Sequence, residues 1–251
     1  MSDGVLDRAL RVLGCFDEES PAMTAAELAE RTGLALSTLH RLLATMVERG
    51  LIVRLPPHRY AVGARLWELG ELSPLSLRLR ETALPHMMRL YEATGENVHL
   101  AVLDGRDPGS SSALFVGRVT GRGSIPTVSR AGSREPLHTT GVGKALLSTR
   151  DEVWLEQYFR RPLEPETTLS VTSESVLRAH LELARTRGFA TTREEMTLGN
   201  VSVAAPLGRV DRLPPIAISV VVHLERADER RLAPLVLQAA KDLREALILT
   251  Q

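Results

Sequence analysis

The segment His-Thr-Thr-Gly-Val-Gly-Lys at residues 138–144 contains the residue types best suited to hold a ligand. Gly143 and Lys144 invite comparison with a phosphate-binding loop. That loop needs a glycine five residues before its second glycine and a hydroxyl residue after its lysine, and here His138 and Ala145 occupy those positions. What remains is a glycine-flanked helix start whose free N–H groups and dipole suit a carboxylate. Close helix-to-sheet packing would require the same small residues, so the residues alone leave both interpretations open.

The sequence lacks the usual patterns of catalytic and metal-binding residues. Glu194 and Glu195 would point to opposite faces of a predicted strand, so their carboxylates cannot share a substrate. There is no Ser–His–Asp order and no G-x-S-x-G stretch. The histidines show no metal-ligand spacing; they stand at positions 40, 58, 86, 99, 138, 180 and 223. We therefore predict no enzymatic activity, no metal site and no cofactor.

Three residues whose side chains could be reactive are predicted to have structural roles only. His99 lies in a predicted strand and His138 precedes a predicted helix, and both are predicted to be core or pocket-edge residues. Cys15 has Arg8 and Arg11 nearby on a predicted helix, and these cations would favour a thiolate. We nevertheless predict that Cys15 is an ordinary helix-surface residue.

The composition limits the class of protein. The chain has 251 residues, of which 43 % are hydrophobic, and this predicts one or two domains with hydrophobic cores. Basic and acidic residues number 31 each, so the net charge of the whole chain indicates no partner. The most apolar run, 216–222, is too short to cross a bilayer, and the acidic start is not a signal peptide. A single cysteine excludes an internal disulfide and suits a reducing compartment, so we expect a cytoplasmic protein. We expect no membrane partner.

The elements before residue 65 predict a winged helix-turn-helix. A first helix is predicted from apolar residues at helical spacing, namely Leu6, Ala9, Leu10, Val12, Leu13 and Phe16. Thr24 and Glu27 form a capping box that opens a second helix, which Gly33 ends. A third helix is predicted from residue 36 to 48 or 49, with Gly50 as its stop. Two helices joined by a tight turn that contains glycine are typical of a helix-turn-helix.

The third helix has two distinct faces. The buried face is predicted to contain Leu39, Leu42, Leu43 and Met46, with Leu36 on the same side. The opposite face carries small hydroxyl residues and Arg41, which suit a DNA major groove. For this helix taken alone, an ordinary solvated face is the stronger alternative.

The stretch that follows the third helix favours the DNA interpretation. Residues 51–55 and 59–63 are two β-prone runs about a Pro-Pro-His turn, which is the form of a wing. Between residues 31 and 65 there are six arginines against one acid, Glu48, so the local charge is +5. Such a patch on the third helix and the hairpin is what phosphate contacts need.

The sequence resembles the IclR family of bacterial transcriptional regulators. Four stretches carry the resemblance: LDRALRVLGCF from residue 6, AAELAERTGLALSTLHRLLATMVERGLIVR from 25, ENVHLAVLDG from 96 and PLHTTGVGKALL from 136. The resemblance implies an α+β protein with a winged helix-turn-helix, a linker helix and a carboxy-terminal α/β effector-binding domain like those of GAF and PAS sensors. It also implies dimers, or dimers of dimers, on double-stranded operator DNA, with a small organic acid as effector.

The second part of the chain agrees with this architecture. Strands are predicted at 97–103, 113–119, 125–130, 189–193, 201–207 and 216–222. Helices are predicted at 141–148, 151–159, 174–187 and 229–247, and a region from 64 to 92 is predicted to be helical with breaks at Pro74 and Pro85. The predicted domains are 1–64, a linker helix at 65–80, and 81–251.

The predicted DNA contacts lie on two elements. On the third helix the candidates for base-edge or phosphate contacts are Ser37, Thr38, His40, Arg41 and Thr45. On the wing the candidates for backbone or minor-groove contacts are Arg54, His58 and Arg59.

The resemblance also implies the residues of an effector pocket. Backbone amides of Gly141 and Val142 would hold the acid group, and the other implied contacts are Thr192, Asn200, Ser202, Ser219 and Val221. Three of these depart from the family pattern: an acid is missing at Thr192, Ser202 replaces a frequent cysteine, and Val221 replaces a second serine. We therefore expect a less acidic, more apolar pocket and a bulkier or less polar effector than glyoxylate or pyruvate.

The sequence predicts a sequence-specific regulator, either repressor or activator, that a small acid controls. Two alternatives stay open at this point. In one, the second domain is an enzyme or sensor acting on a small acid. In the other, the winged module contacts proteins instead of DNA, which predicts no outward basic face.

Overall fold

The computed structural model describes residues 4–17, 19–120 and 129–249 of the chain. Contacts divide the chain into two compact units, residues 1–73 and 74–251. Helices and strands occur in both units, and the amino-terminal unit is a helix-turn-helix domain while the carboxy-terminal unit is an α/β domain. The α+β prediction is therefore confirmed. No helix in the described part of the chain is long and apolar enough to cross a membrane.

The amino-terminal unit contains four helices and a small sheet in its described residues. Its elements are α1 (Val5–Leu13), β1 (Ala22–Thr24), α2 (Ala25–Thr32), α3 (Leu36–Glu48), β2 (Ile52–Leu55), β3 (Arg59–Val62) and α4 (Ala64–Glu71). The predicted capping box is present: Thr24 Oγ1 accepts from the Glu27 N–H, and Glu27 Oε2 accepts from the Thr24 N–H at 2.6 Å. Gly33 ends α2 with φ of 68°, a conformation in which glycine avoids the steric cost of a side chain.

Two features of this unit differ from the prediction. The wing has a third strand, because β1 pairs with β3 on the side away from β2. The predicted apolar face of α1 is buried only in part: Val12 is fully buried, but Leu6 is 72 % exposed and Leu10 is 57 % exposed. A short helix at the edge of a small core cannot bury a whole apolar stripe within one unit.

The carboxy-terminal unit is built on one antiparallel sheet. A π-helical segment (Leu75–Arg80) leads directly into α5 (Glu81–Thr94). The later elements are β4 (Asn97–Asp104), β5 (Ser112–Val119), β6 (Arg134–Glu135), α6 (Gly141–Ser148), α7 (Glu152–Tyr158), α8 (Glu174–Arg187), β7 (Ala190–Arg193), β8 (Asn200–Pro206), β9 (Ile216–His223) and α9 (Glu229–Leu249). The strand order is β6-β5-β4-β9-β8-β7. The predicted strand at 125–130 falls mostly outside the described residues.

Helices cover both faces of this sheet. One core contains Val98, Leu100 and Val102 of β4 together with residues of α5 and α9. The other contains Ala101 of β4 and Phe115 of β5 together with residues of α6, α7 and α8. Successive residues of β4 point to opposite faces, so the alternation assigns His99 to the face that α6 covers.

Pro85 does not interrupt the helix, contrary to the prediction. It lies inside α5, where it removes one backbone donor. Ala83 and Met87 of the same helix are buried in the core, and this tertiary packing holds the helix through the proline. Pro74, in contrast, stands between α4 and the π-helical segment, where the two units divide.

Candidate functional site

Helix α3 presents a polar face to solvent. Ser37, His40, Arg41 and Thr45 are exposed, and Thr38 is half-buried. The opposite face buries Leu39, Leu43 and Met46, as predicted. Leu36, predicted on the buried side, is 49 % exposed because it is the first residue of the helix. Leu42 is partly buried.

The wing places two of its three predicted residues outward. Arg54 and His58 are exposed, and Arg54 Nη2 lies 3.0 Å from His58 Nδ1. Arg59 is engaged within the unit: its Nε donates to the Ala22 carbonyl oxygen at 3.1 Å, and its Nη2 lies 3.6 Å from Glu27 Oε2. Its guanidinium thus ties β3 to β1 and α2.

The basic patch is smaller than the sequence count suggests. Arg31 pairs with Asp17 at 3.4 Å and Arg65 with Glu68 at 2.8 Å, in addition to the Arg59 pair. These three carboxylates lie outside residues 31–65, so the local count misses them. Among residues 4–17 and 19–120, no acidic partner is found for Arg41, Arg49 or Arg54. The unneutralised cations therefore lie on α3, at its end and on the wing.

A cavity lies in the carboxy-terminal unit between the start of α6 and the sheet. All seven residues predicted for an effector pocket line it: Gly141, Val142, Thr192, Asn200, Ser202, Ser219 and Val221. The other described residues that line it are His99, Phe115, Ser129, Thr140, Met196, Thr197 and Val201. The fold thus brings residues of α6, the sheet and the β7–β8 connection together around one space.

The start of α6 keeps two backbone donors available. The Gly143 N–H donates to Thr140 Oγ1 at 3.1 Å, and the Lys144 N–H donates to the Thr140 carbonyl oxygen at 2.9 Å. Within the described residues, no acceptor is found for the N–H groups of Gly141 and Val142. Both residues line the cavity, so these donors are placed where an acid group could accept from them.

Close packing also accounts for the glycines of α6. A Cβ on Gly143 would overlap the carbonyl oxygen and Cα of Leu137. A Cβ on Gly141 would overlap Ser202 Oγ and lie 2.9 Å from Ser202 Cβ. Packing therefore demands glycine at both positions, whereas the N–H groups of Gly141 and Val142 are available because they lie in the first turn of the helix.

The described lining of the cavity combines hydroxyl and apolar side chains and carries no acidic, lysine or arginine side chain. The one titratable group in that described lining is His99, whose pKa is lowered to about 3 by burial and, secondarily, by the Arg118 guanidinium. The imidazole is therefore neutral near pH 7. A bound anion would depend on backbone N–H groups and hydroxyls.

Both units of the chain match models of known protein domains. The model of the IclR helix-turn-helix domain matches residues 5–56, and the model of the bacterial transcriptional regulator IclR C-terminal domain matches residues 74–245. The chain belongs to the IclR family. The family's curated members in this comparison are transcriptional regulators, so this IclR-family chain is a regulator with a helix-turn-helix and a ligand-binding domain, and not an enzyme.

Individual members of the IclR family match nearly the whole chain. The HTH-type transcriptional regulator BhcR of Paracoccus denitrificans (strain Pd 1222) is 32 % identical, over 95 % of this chain and 85 % of its own length. The HTH-type transcriptional regulator XynR of Escherichia coli (strain K12) is 30 % identical, over 91 % of this chain and 89 % of its own. A crystal structure of an IclR homolog from Microbacterium hydrocarbonoxydans, complexed with 4-hydroxybenzoate, has a TM-score of 0.89 and 30 % identity; the match covers 97 % of this chain and 99 % of that chain.

A buried ion pair beside the cavity escaped the sequence analysis. Lys144 Nζ lies 2.7 Å from both carboxylate oxygens of Glu195 and 3.0 Å from His180 Nδ1. The side chains of Lys144 and Glu195 are 1 % and 6 % exposed. Burial lowers the pKa of Lys144, and Glu195 opposes that shift. The pair joins α6 to the β7–β8 connection, so it joins two walls of the cavity.

The interpretation of Glu194 and Glu195 as adjacent strand residues was wrong. Strand β7 ends at Arg193, and Glu194 has φ of 58°, which turns the chain away from the strand. The side chain of Glu195 then points inward to Lys144. No sequence signal links Lys144 to Glu195, because these residues lie 51 positions apart.

Cys15 is a second correction. It lies beyond the end of α1 and is buried in the core of the amino-terminal unit, at 8 % exposure, instead of on a helix surface. Burial raises the pKa of its thiol, and this effect exceeds the opposing one of Arg31. The thiol is therefore protonated near neutral pH.

In the part of the chain that the structure describes, no cluster of three or more potential metal ligands is present.

The pKa of His99 predicts a pH dependence of stability. Its folded-state pKa of about 3 lies below the ordinary value of 6.5, so the stability it contributes is present above pH 6.5 and is lost as the pH falls toward 3. Between pH 7 and pH 5 this residue should cost about 2 kcal/mol of unfolding free energy. In urea unfolding at pH 7 and pH 5, the difference in unfolding free energy should be about 2 kcal/mol smaller for His99→Gln than for the wild type.

The matched control is the exposed His40→Gln, which should keep the wild-type difference between the two pH values. His86, His138 and His180 also have lowered pKa values, and they contribute equally in both proteins. An unchanged pH difference in His99→Gln would show that burial does not keep this imidazole neutral.

Proposed function

We propose that the chain is a sequence-specific regulator that binds double-stranded operator DNA in the cytoplasm and is controlled by a small organic acid. The observation that carries the proposal is the exposed polar face of α3, with Arg41, beside the exposed Arg54 and His58 of the wing. Helix α3 lies in a major groove, and the wing follows the DNA backbone. Gel-shift titration with DNA flanking the protein's own gene, with and without candidate acids, tests the proposal.

The acid occupies the cavity of the carboxy-terminal unit. Its carboxylate accepts hydrogen bonds from the N–H groups of Gly141 and Val142 at the start of α6. The hydroxyls of Thr192, Ser202 and Ser219, together with Asn200, complete a polar lining, and Val221 adds apolar surface. The 4-hydroxybenzoate complex of the Microbacterium hydrocarbonoxydans homolog supports an organic acid as the effector class.

Self-association, as a dimer or a dimer of dimers, is part of the proposal. The amino-terminal unit exposes large apolar side chains on α1 (Val5, Leu6 and Leu10) and on α4 and its end (Trp67 and Leu72), each more than half exposed. Apolar residues at this density on a small unit are typical of a surface that another protein covers. A two-fold symmetric pair of wings would match two half-sites of an operator.

Arg41 is expected to read a base. Replacing it by alanine should weaken binding to the specific operator by about 1–3 kcal/mol and reduce the preference over unrelated DNA. Arg54→Ala, on the wing, should weaken specific and unrelated DNA alike and lower the salt slope by about one. Fluorescence anisotropy at several salt concentrations measures both quantities.

Arg209→Ala is the matched control, since its side chain is 92 % exposed in the other unit. It removes the same charge without touching α3 or the wing. If Arg41→Ala binds the operator with wild-type affinity and preference, Arg41 does not read a base.

A further inference from the structure

One side-chain polar atom at the cavity has no partner in the part of the chain described. His99 is 2 % exposed, and its Nε2 is buried without a hydrogen bond. Its ring meets Phe115 edge-on, with centroids 5.4 Å apart, and both residues line the cavity. A buried polar atom without a partner is costly, so native proteins seldom retain one without a ligand or a water to satisfy it.

Strand register relates His99 to the β8 residues that lie beneath the start of α6. His99 of β4 stands opposite Ser219 of β9, and Ser219 stands opposite Ala204 of β8. Gly141 lies over β8, where a Cβ would be 3.4 Å from Ala204 Cβ and 2.9 Å from Ser202 Cβ. His99 and the β8 residues beneath Gly141 are therefore two strands apart, a Cα separation of about 10 Å across the sheet.

We propose that His99 is a specificity-determining residue of the effector cavity, which hydrogen-bonds an uncharged polar group at the end of the effector opposite its carboxylate. This inference rests on the proposed function, because it takes the carboxylate to lie at Gly141 and Val142. An effector that meets both groups must reach across the strand between them. A benzene ring with substituents in para positions is long enough to do so, and a two- or three-carbon keto acid is not.

The chemistry of the lining selects an uncharged second group. His99 is neutral near pH 7, and no lysine or arginine side chain lines the described cavity. A second carboxylate at that end would be buried without a countercharge, which costs far more than burying a hydroxyl. A hydroxyl can instead pair with either tautomer of the imidazole, and a carbonyl oxygen can accept from the tautomer that is protonated at Nε2.

Calorimetric titration of the full chain with three acids tests the inference. The probes are 4-hydroxybenzoate, 4-methylbenzoate of nearly the same shape, and glyoxylate. The wild-type protein should bind 4-hydroxybenzoate at least about 10-fold more tightly than 4-methylbenzoate, because the methyl group leaves Nε2 unpaired. Glyoxylate should bind more weakly than either. This comparison requires no variant, so it does not depend on how a substitution folds.

Two variants then assign the preference to His99. In His99→Leu the two benzoates should bind within about 2-fold of each other, and His99→Gln, which keeps a side-chain donor and acceptor, should retain part of the preference. Thermal melting confirms that each variant is folded. Equal affinity of the wild type for the two benzoates, or a preference that survives in His99→Leu, overturns the inference.

The same samples separate this inference from the proposed function. If glyoxylate, and not a benzoate, binds and changes operator affinity, effector control stands and the role of His99 fails. If none of the three acids binds, the role of His99 fails, while operator binding is still measured independently. If the acids bind but operator affinity never changes, control by this cavity fails, and the benzoate preference still decides the role of His99.

Discussion

Replacing Lys144 by methionine is expected to destabilise the carboxy-terminal unit by about 3–5 kcal/mol, because it leaves the Glu195 carboxylate buried without a countercharge. Both carboxylate oxygens lie 2.7 Å from Lys144 Nζ, and the pair is almost entirely inaccessible to solvent. The loss should also loosen the cavity, since the pair joins α6 to the β7–β8 connection. Urea unfolding in a Trp67→Phe background measures it, because Trp154, which packs on the core of the carboxy-terminal unit, is then the only tryptophan.

Two further variants separate the ion pair from simple packing. Glu195→Gln should also destabilise, since it leaves a buried ammonium, whereas the double variant Lys144→Met with Glu195→Met removes both charges and should recover most of the loss. Arg187→Met on α8, whose ion pair with Glu229 is about half exposed, should cost less than about 1 kcal/mol beyond its lost packing. A Lys144→Met protein as stable as the wild type would show that Glu195 does not stay buried as an unpaired carboxylate.

Gly141→Ala is expected to weaken effector binding by about 10- to 100-fold while operator affinity without effector changes less than 2-fold. The added methyl group overlaps Ser202 Oγ and lies 2.9 Å from Ser202 Cβ, so α6 must move away from β8. That movement shifts the two available N–H groups relative to the cavity. Calorimetry with 4-hydroxybenzoate and anisotropy with operator DNA measure the two effects separately.

The control for Gly141→Ala is Gly70→Ala, because a Cβ on Gly70 meets nothing within 4 Å. Ser202→Gly combined with Gly141→Ala restores the space and should recover part of the affinity, although it also removes a hydroxyl. If the single variant binds the acid with wild-type affinity, the carboxylate is not held at the start of α6.

Local signals in the sequence were sufficient for most of the fold. Helices α6 and α8 have the predicted bounds, and the Thr24–Glu27 cap starts α2 as predicted. Such elements follow from caps and periodicity within a few residues. Strands β1 and β6, with three and two residues, were missed because they exist only through pairing with β3 and β5. A strand that short has no periodicity to detect.

For the candidate site, the sequence named residues but could not give their environments. All seven predicted pocket residues line one cavity, because the family resemblance matched them to the pocket positions of the family. The sequence could not show that Arg59 is held by Ala22 and Glu27, since that contact spans up to 37 positions. The basic patch consequently appeared larger in the sequence than it is on the surface.

By itself, the sequence determined the succession of elements, the polar face of α3 and the glycine-rich start of α6, because these depend on neighbours within a turn or two of the chain. Only the tertiary structure decided that Lys144 meets Glu195, that Cys15 is buried and that His99 Nε2 is left unpaired at the cavity. Those outcomes depend on which distant segments pack together. Charge, desolvation and hydrogen-bond satisfaction are set by all neighbours in space, and the chain order does not specify them.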